Sequence, residues 1–402
     1  MTSIDATALR CQNDQPVFDS LLQEPDVIRV NEHLEKVAEE GPTGIRRNLL
    51  ATSVRLTRTM APDVYKMLDD CAEKLQLDIP IELYVYASPQ FNAACVKPEE
   101  GRLFIMLASS LLEAFKDGEL RFVIGHELGH HLYQHHDIPI GYILRGKSRP
   151  NPKLALELFT WSRYAEISAD RAGAHCAQDL KAVGRALFRL TSGLSDDVIA
   201  FNFDDFVKQV DDMQLVDAEP GQGAPTGDWF STHPFSPLRV KALALFDQSE
   251  LARPNGTSKD SLEVSVQRVM ALMEPNYLEG KTDTAETMRR LFFAAALTVA
   301  NASNGISDAE IAVFEKYFGD GSFNDKLDIA RLAAELPERI SQTLAVTSPS
   351  QRIQLLHDLC LIARADGYVT EPERTLLAEI ATSLDVTKAF VDQCIECSAD
   401  LD

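Results

Sequence analysis

The stretch FVIGHELGHHLYQHHDIP, from Phe122 to Pro139, contains five of the nine histidines of the chain. Apolar residues flank its charged centre on both sides, so we predict a buried helix from about Glu119 to His136, which Pro139 brings to an end. Buried histidines and a buried carboxylate are costly unless they have partners. The stretch therefore predicts a polar site inside the fold.

Two of these histidines lie four residues apart, in the pattern His-Glu-x-x-His. On a helix, His126 and His130 are separated by only about 40° around the axis, so both imidazoles can reach one metal ion. Glu127 lies beside them and can accept a proton from a water molecule on that ion. Zinc polarises a carbonyl group and lowers the pKa of its water to near neutrality. The pattern thus predicts one catalytic zinc ion (Zn2+) per chain.

Two other functions stay open at this stage. The zinc site could be structural or latent in a protein that mainly binds partners, although such a site has no need of Glu127. The same residues could also hydrolyse an amide that is not a peptide bond. Cleavage that depends on Glu127 separates an enzyme from a binding protein.

The third zinc ligand has two candidates. His136 stands where a three-histidine pattern places its last ligand, but that pattern needs a glycine at the position of Tyr133 to turn the chain. Without a turn, the helix carries His136 about 15 Å along its axis from His126. We therefore expect His131, His135 and His136 to be rim or helix-end residues, with a second metal ion on the first two as a less favoured alternative.

The better candidate lies in WSRYAEISADRAGAHCA, residues 161–177. Glu166 and Asp170 are four residues apart on a predicted helix, so they share one face. Glu166 can complete the zinc site, and Asp170 can accept the outer N–H of a ligating histidine. A solvated helix face is the alternative, but the small and aromatic neighbours favour a packed helix. Glu157 and His175 are reserve candidates.

The blocks HELGH, EISAD and STHPFSPLRV together resemble the HtpX and CAAX prenyl protease type of gluzincin zinc metallopeptidase, over about residues 45–250. This resemblance implies that a water molecule activated by zinc attacks a peptide carbonyl. It also implies the following roles: His126, His130 and Glu166 bind zinc, Glu127 is the general base and acid, and Asp170 supports a ligand.

Further roles follow from the same resemblance. His233 would help to hold the developing oxyanion, and Arg239 would brace the loop that carries it. FNAACV resembles the edge strand of the family, where the backbone of Asn92, Ala93 and Ala94 would pair with an extended peptide. An ordinary paired strand is the alternative for these three residues.

Composition limits the partners and the compartment. The formal charge of −22 argues against nucleic acid as a partner, and no segment reaches the length and apolarity of a membrane-spanning helix. The first residues lack the pattern of a secretory signal. Seven cysteines without a regular spacing are typical of reduced thiols. We expect a cytoplasmic protein without membrane insertion, unlike the best-known members of the resembled family.

The C-terminal region contains an internal repeat. Residues 294–318 align with residues 357–381, and each copy has a Ser or Thr followed three residues later by Glu. This spacing predicts a capping box at a helix start in each copy. A cation bound by the acidic residues of the second copy is the alternative, although the turn is too short for an EF-hand loop.

The repeat region, about 285–402, resembles the helical tellurite-resistance TerB domain, and ARADGYVTEPE carries most of the likeness. The resemblance implies a regulatory module or a surface that binds a protein partner. The first copy has Ser303 and Asn304 where the second has Asp366 and Gly367. Whether this domain binds a metal is therefore left open.

Together these patterns predict a mainly α protein with a small β-sheet (α+β). We expect a zincin-like metallopeptidase domain with a helical N-terminal segment over 1–250, a linker and connecting helix over 251–284, and an all-α helical bundle over 285–402. The Gly- and Pro-rich stretch 217–230 is predicted to form a lid. The predicted function is a zinc-dependent metalloendopeptidase acting on a protein or peptide substrate.

Overall fold

The computed structural model describes residues 5–39, 44–145, 152–194, 198–217, 234–271, 283–303, 305–319, 321–324, 327–347 and 349–396. These residues divide into two compact units. The first unit contains 5–210 and 234–259, and the second contains 211–217 and 260–396. The predicted boundaries after residues 250 and 284 remain a prediction.

Helices form most of the first unit, which also holds one small sheet, so the predicted α+β class is confirmed. Its helices are α1 (Asp14–Leu21), α2 (Pro25–Glu39), α3 (Ile45–Thr52), α4 (Pro62–Lys74), α5 (Ser109–Ala114), α6 (Asp117–Leu132), α7 (Ile140–Arg145), α8 (Pro152–Ala177), α9 (Leu180–Ser192), the start of α10 (Phe203–Asp217) and α11 (Ser236–Asp247). Its strands are β1 (Val54–Arg55), β2 (Ile81–Tyr86), β3 (Ala93–Glu99) and β4 (Arg102–Ala108).

The four strands form a sheet in the order β1-β2-β4-β3. β2 and β4 are parallel, whereas the two outer strands pair in the antiparallel sense with their neighbours. Glu100 and Gly101 join β3 to β4 with φ angles of 51° and 68°, as a tight two-residue hairpin requires. β3 is therefore an edge strand, as FNAACV predicts.

The motif helix α6 is buried on all sides. Its apolar residues lie on every side of the helix axis and do not form a single stripe, which is typical of a helix inside a core. These residues are Leu120, Phe122, Val123, Ile124 and Leu128, each less than 5% exposed. The prediction of a buried helix is confirmed.

Helices α6 and α8 touch through their backbones. A Cβ atom added to Gly129 would lie 2.9 Å from the Cβ of Ala172, and one added to Gly173 would lie 2.5 Å from the carbonyl oxygen of Phe122. Side chains at these positions would push the helices apart. The small residues at this contact are Gly125, Gly129, Ala169, Ala172, Gly173 and Cys176.

Helix α6 ends at Leu132, four residues earlier than predicted. Gln134 has a left-handed backbone with φ of 60°, and a 3-10 turn over His135–Asp137 follows. The expectation that a turn here needs glycine was wrong, because non-glycine residues adopt this conformation at a modest cost. The chain thus leaves the helix axis before it reaches His136.

The second unit is an all-α bundle, as predicted. Its helices are α12 (Lys259–Ala271), whose first residue belongs to the first unit, α13 (Asp283–Ala300), α14 (Asp308–Phe318), α15 (Ile329–Val346), α16 (Pro349–Ala363), α17 (Glu371–Ser383) and α18 (Lys388–Glu396). Helix α13 contributes buried side chains from Ala285 to Ala300 and packs against α15 and α16. Apolar side chains of the surrounding helices close the core around it, among them Phe314, Leu359, Leu377 and Phe390.

The repeated glutamates act at helix starts. The carboxylate of Glu310 accepts hydrogen bonds from the backbone N–H and the hydroxyl of Ser307, and that of Glu373 accepts one from the backbone N–H of Thr370. These contacts are those of capping boxes. They support the capping interpretation over a cation site.

Replacing Gly173 by Ala should destabilise the first unit. The added methyl group would clash with the backbone of Phe122, and overpacking of this kind costs about 1–3 kcal/mol. Gly141→Ala is the matched control, since it lies in α7 with nothing within 4 Å and should be neutral or slightly stabilising. Urea unfolding followed by tryptophan fluorescence measures both changes, and equal midpoints for the two variants would contradict the close helix contact.

Candidate metal centre

Three side chains from α6 and α8 meet at one point. The Nε2 atoms of His126 and His130 are 3.1 Å apart. The carboxylate of Glu166 lies 3.5 Å from the first of these atoms and 3.4 Å from the second. No other group of three or more His, Cys, Asp or Glu side chains that could hold a metal ion occurs among the residues that the structure describes.

This arrangement fits a zinc ion. Zinc binds imidazole nitrogen and carboxylate oxygen at 2.0–2.2 Å in a tetrahedron, so two ligand atoms should lie about 3.3 Å apart. The three observed distances between ligand atoms, from 3.1 to 3.5 Å, are close to this value. Two nitrogens and one oxygen, with the fourth position left to water or substrate, are also the ligand set of many catalytic zinc sites.

Asp170 sets the protonation of one histidine. Its Oδ1 atom lies 3.0 Å from Nδ1 of His126, and a carboxylate can only accept there. Burial opposes ionisation of Asp170, but the charge and hydrogen bonds of Arg239 hold the pKa of this carboxyl below its usual value. His126 therefore carries its proton on Nδ1 and turns the lone pair of Nε2 toward Glu166.

Arg239 binds the acids of α8 directly. Its guanidinium donates to both oxygens of Asp170, at 2.8 and 2.6 Å, and lies 3.4 Å from the Glu166 carboxylate. Burial works against ionisation of Glu166, yet its contacts with His130, His126 and Arg239 hold the pKa of Glu166 well below its usual range. The contact of Arg239 with Asp170 anchors the first turn of α11 beside the centre.

Glu127 reaches the edge strand. Its Oε2 atom accepts a hydrogen bond of 2.7 Å from the backbone N–H of Cys95. The side chain is 8% exposed and lies on the same helix as the two histidines. A carboxylate is thus held between β3 and the position where the three candidate ligands meet. Sequence reasoning had no signal for this contact, because it depends on how α6 packs under the sheet.

The free edge of β3 differs in detail from the prediction. The carbonyl of Asn92 accepts a hydrogen bond from the N–H of Ala108, so that residue faces β4. Backbone direction alternates along a strand, so Ala94 also faces β4, while Ala93 and Cys95 face away from it. Two of the three predicted residues, Asn92 and Ala94, therefore direct their backbone groups into the sheet.

His136 is not part of the group, although it was excluded on the wrong ground. The chain does turn before it, yet the structure brings Glu166 rather than His136 to the two histidines. Nε2 of His136 is buried without a hydrogen bond, and burial lowers the pKa of His136 to about 3, which keeps the ring neutral. The reserve candidates Glu157 and His175 are not in the group either.

His135 was expected at the rim of the site or at a helix end, and it lies just after the end of α6, in the 3-10 turn His135–Asp137. It is 6% exposed, and its Nδ1 lies 2.9 Å from Nδ1 of His130. Its Nε2 lies 3.0 Å from Oδ2 of Asp14, in the first turn of α1. Sequence reasoning missed both residues. The spacing of five residues between His130 and His135 was the signal that could have indicated the contact of His135, whereas no sequence pattern near Asp14 indicated its role.

Two predicted features lie outside the described residues. His233 and residues 218–230 of the predicted lid belong to this part of the chain, and Asp217 is the last residue of α10. Their roles remain predictions. The described chain resumes at Pro234, five residues before Arg239.

A His-Glu-x-x-His helix packed against a helix that brings a glutamate is the arrangement of a metallopeptidase site. Comparison with known proteins agrees. The chain contains a peptidase family M48 domain, matched over residues 59–145 and 152–245, and a tellurite resistance protein TerB domain, matched over 289–394. Both resemblances drawn from the sequence are confirmed. No helix among the described residues is both long enough and apolar enough to cross a bilayer.

Curated relatives match about half of the chain. Over 214 residues the chain is 29% identical to the plastoglobule-localized metallopeptidase 48, chloroplastic, of Arabidopsis thaliana, covering 50% of this chain and 61% of the relative. It is 22% identical to a protease HtpX homolog of Helicobacter pylori (45% and 65% covered) and 26% identical to one of Burkholderia thailandensis (46% and 74%). The chain thus spans under two thirds of the length of the first two relatives. No solved structure matches it significantly.

Replacing Arg239 by Met should destabilise the first unit by about 3–5 kcal/mol, because it leaves Asp170 and Glu166 buried without their cation. The depressed pKa values of both acids mean that the ion pairs stabilise the native state above about pH 4 and that this stabilisation is lost as the pH falls further. The difference in the free energy of unfolding between the variant and the wild type should therefore become smaller at acid pH.

Urea unfolding of the metal-free protein at neutral and acid pH measures this effect. Arg58→Met is the matched control, because the guanidinium of Arg58 also binds a carboxylate, that of Asp69, but at an exposed site. The control should lose less than about 1 kcal/mol. Similar decreases in the free energy of unfolding for the two variants would contradict a buried supporting role for Arg239.

Proposed function

We propose that this protein is a zinc-dependent metalloendopeptidase of the gluzincin type that hydrolyses peptide bonds in a protein or peptide substrate. One observation carries the proposal: ligand atoms of His126, His130 and Glu166 all lie within 4.8 Å of one another, and Glu127 lies beside them. The M48 domain supports the peptidase class. A purely structural zinc site would not require Glu127.

His126, His130 and Glu166 would hold one zinc ion. When bound, zinc supplies Lewis acidity, which polarises a carbonyl group and makes a water molecule acidic near neutral pH. Glu127 would accept the proton of the attacking water on its carboxylate and then donate it to the leaving amine. The hydrogen bond from the N–H of Cys95 orients this carboxylate and leaves its other oxygen for the proton.

The free edge of β3 offers a place for an extended substrate. Backbone groups of Ala93 and Cys95 point away from β4, so a peptide could add to the sheet as a further strand. The N–H of Cys95 already binds Glu127, which places this edge directly beside the general base. Main-chain pairing of this kind is independent of side-chain sequence and suits a peptidase that accepts many segments.

The remaining assignments concern the second unit, His233 and the compartment. The TerB domain would regulate the peptidase or bind a protein partner, as the bundle is a separate compact unit without a metal-ligating group among its described residues. His233 would support the oxyanion, as the family resemblance implies. A cytoplasmic location is supported by six described cysteines, all of them free thiols.

Replacing Glu127 by Gln should abolish cleavage of casein while zinc binding is retained. The amide keeps the shape and the acceptor oxygen that Cys95 needs, but it cannot take up a proton. Loss of a general base costs about 10²–10⁴-fold in rate. Glu113→Gln, an exposed change of the same kind in α5, is the control and should leave the rate unchanged.

Zinc content, measured by elemental analysis, completes this test. Wild type and Glu127→Gln should both contain one zinc per chain, whereas Glu166→Ala should lose most of it. Stoichiometric zinc together with cleavage that is insensitive to Glu127→Gln, or with no cleavage of any protein substrate, would favour a binding protein with a latent or structural site.

Replacing Ala93 by Pro should raise the KM for a peptide substrate more than it lowers kcat. Proline removes the backbone N–H that faces the free edge, while the groups that pair with β4 belong to the neighbouring residues. Steady-state kinetics with a fluorogenic peptide measures both constants. An unchanged KM, with zinc content equal to that of wild type, would mean that the substrate does not pair with this edge.

A further inference from the structure

A buried polar chain links His130 to the N-terminal segment. Nδ1 of His130 lies 2.9 Å from Nδ1 of His135, and Nε2 of His135 lies 3.0 Å from Oδ2 of Asp14. Asp14 is fully buried, and His135 is almost so. All three residues belong to the first unit, although Asp14 precedes the motif helix by more than a hundred residues.

The partners of Asp14 are all donors. Besides His135, its carboxylate accepts from Arg10 at 2.8 and 3.1 Å, from the indole N–H of Trp161 at 3.0 Å and from the hydroxyl of Ser168 at 2.7 Å. Both oxygens are thus used as acceptors, which requires an ionised carboxylate. A group that can only accept fixes the proton of whatever ring nitrogen faces it.

These contacts assign the protons along the chain. Since Asp14 accepts, Nε2 of His135 carries a hydrogen, and Nδ1 of the neutral ring has a lone pair. Nδ1 of His130 must therefore donate to His135, and in the neutral ring this leaves the lone pair of Nε2 pointing at Nε2 of His126 and at Glu166. This is the tautomer that a metal ligand needs.

We infer that Asp14 and His135 are positioning residues of the metal centre, acting through His130 as Asp170 acts through His126. This inference deepens the proposed function and rests on it. The N-terminal segment thereby becomes part of the metal centre, because Asp14, the last acceptor in this series of hydrogen bonds, lies in α1. Each candidate histidine ligand is then connected to a carboxylate from a different helix: His126 directly to Asp170, and His130 through His135 to Asp14.

A purely structural role can be separated from this one. Other hydrogen bonds also hold the N-terminal segment, including that from the hydroxyl of Tyr133 to the carbonyl of Ala6 at 3.1 Å and that from the N–H of Cys11 to the hydroxyl of Ser168 at 3.0 Å. Loss of the His135 contact alone would leave these in place. Trp161→Phe removes a different donor to Asp14 and serves as the buried control.

The test measures zinc dissociation constants by competition with a chromophoric chelator. Asp14→Asn and His135→Leu should bind zinc about 10–100-fold more weakly than wild type, as loss of an outer partner does elsewhere. Trp161→Phe should lower thermal stability but leave zinc affinity unchanged. His135→Gln should recover part of the affinity lost in His135→Leu, because an amide retains a donor and an acceptor.

The cobalt-substituted protein gives a second readout, since a changed hydrogen bond on His130 should shift the visible ligand-field bands only in the Asp14 and His135 variants. Equal zinc affinity in Asp14→Asn and Trp161→Phe would overturn the inference and leave the proposed function standing. If Asp14→Asn does not fold, equal affinity in His135→Leu and His135→Gln would overturn it in the same way. A wild-type chain that binds no zinc would overturn both.

Discussion

The close contact of α6 with α8 is the constraint on which the candidate centre depends. Glycines at 129 and 173 let the two backbones approach until a single methyl group would not fit between them. Only at this separation can Glu166 of α8 reach between the two histidines of α6, and only then does Asp170 lie one hydrogen bond from His126. The ligand geometry is thus a result of helix packing, and small residues determine it as much as the ligands do.

Burial of charge is the second constraint. Carboxylates of Glu127, Glu166 and Asp170 lie together where water is largely excluded, and each is costly without a partner. Arg239 neutralises Asp170 and lies close to Glu166. One guanidinium beside three carboxylates leaves the group negative, which favours a divalent cation at the point where the histidine lone pairs converge. The charge arrangement and the ligand distances therefore lead to the same conclusion.

Much of the fold and the inner part of the site could be predicted from the sequence. Helical spacing placed His126, Glu127 and His130 on one helix, and a second four-residue spacing selected Glu166 and Asp170, which the structure brings together with them. The helical bundle was also predictable, because capping boxes are local signals, whereas the edge strand was predicted from the family resemblance. Each of these predictions depends on residues close to one another in the chain.

Errors arose where local rules allow two outcomes or where tertiary contacts decide. The helix was extended to His136 because Tyr133 is not glycine, but Gln134 adopts the left-handed conformation and folds His135 back beneath His130. Asp14 could not be found, since only the packed N-terminal segment brings it to His135. The contact between Glu127 and Cys95 depends likewise on how a helix meets a strand that is distant in sequence.

Diffraction at the zinc absorption edge, on crystals of the full chain grown with zinc, tests the central claim most directly. We expect one strong anomalous peak in the first unit, about 2.0–2.2 Å from Nε2 of His126, Nε2 of His130 and a carboxylate oxygen of Glu166. A peak bound by His136 in place of Glu166, or no peak between α6 and α8, would contradict it.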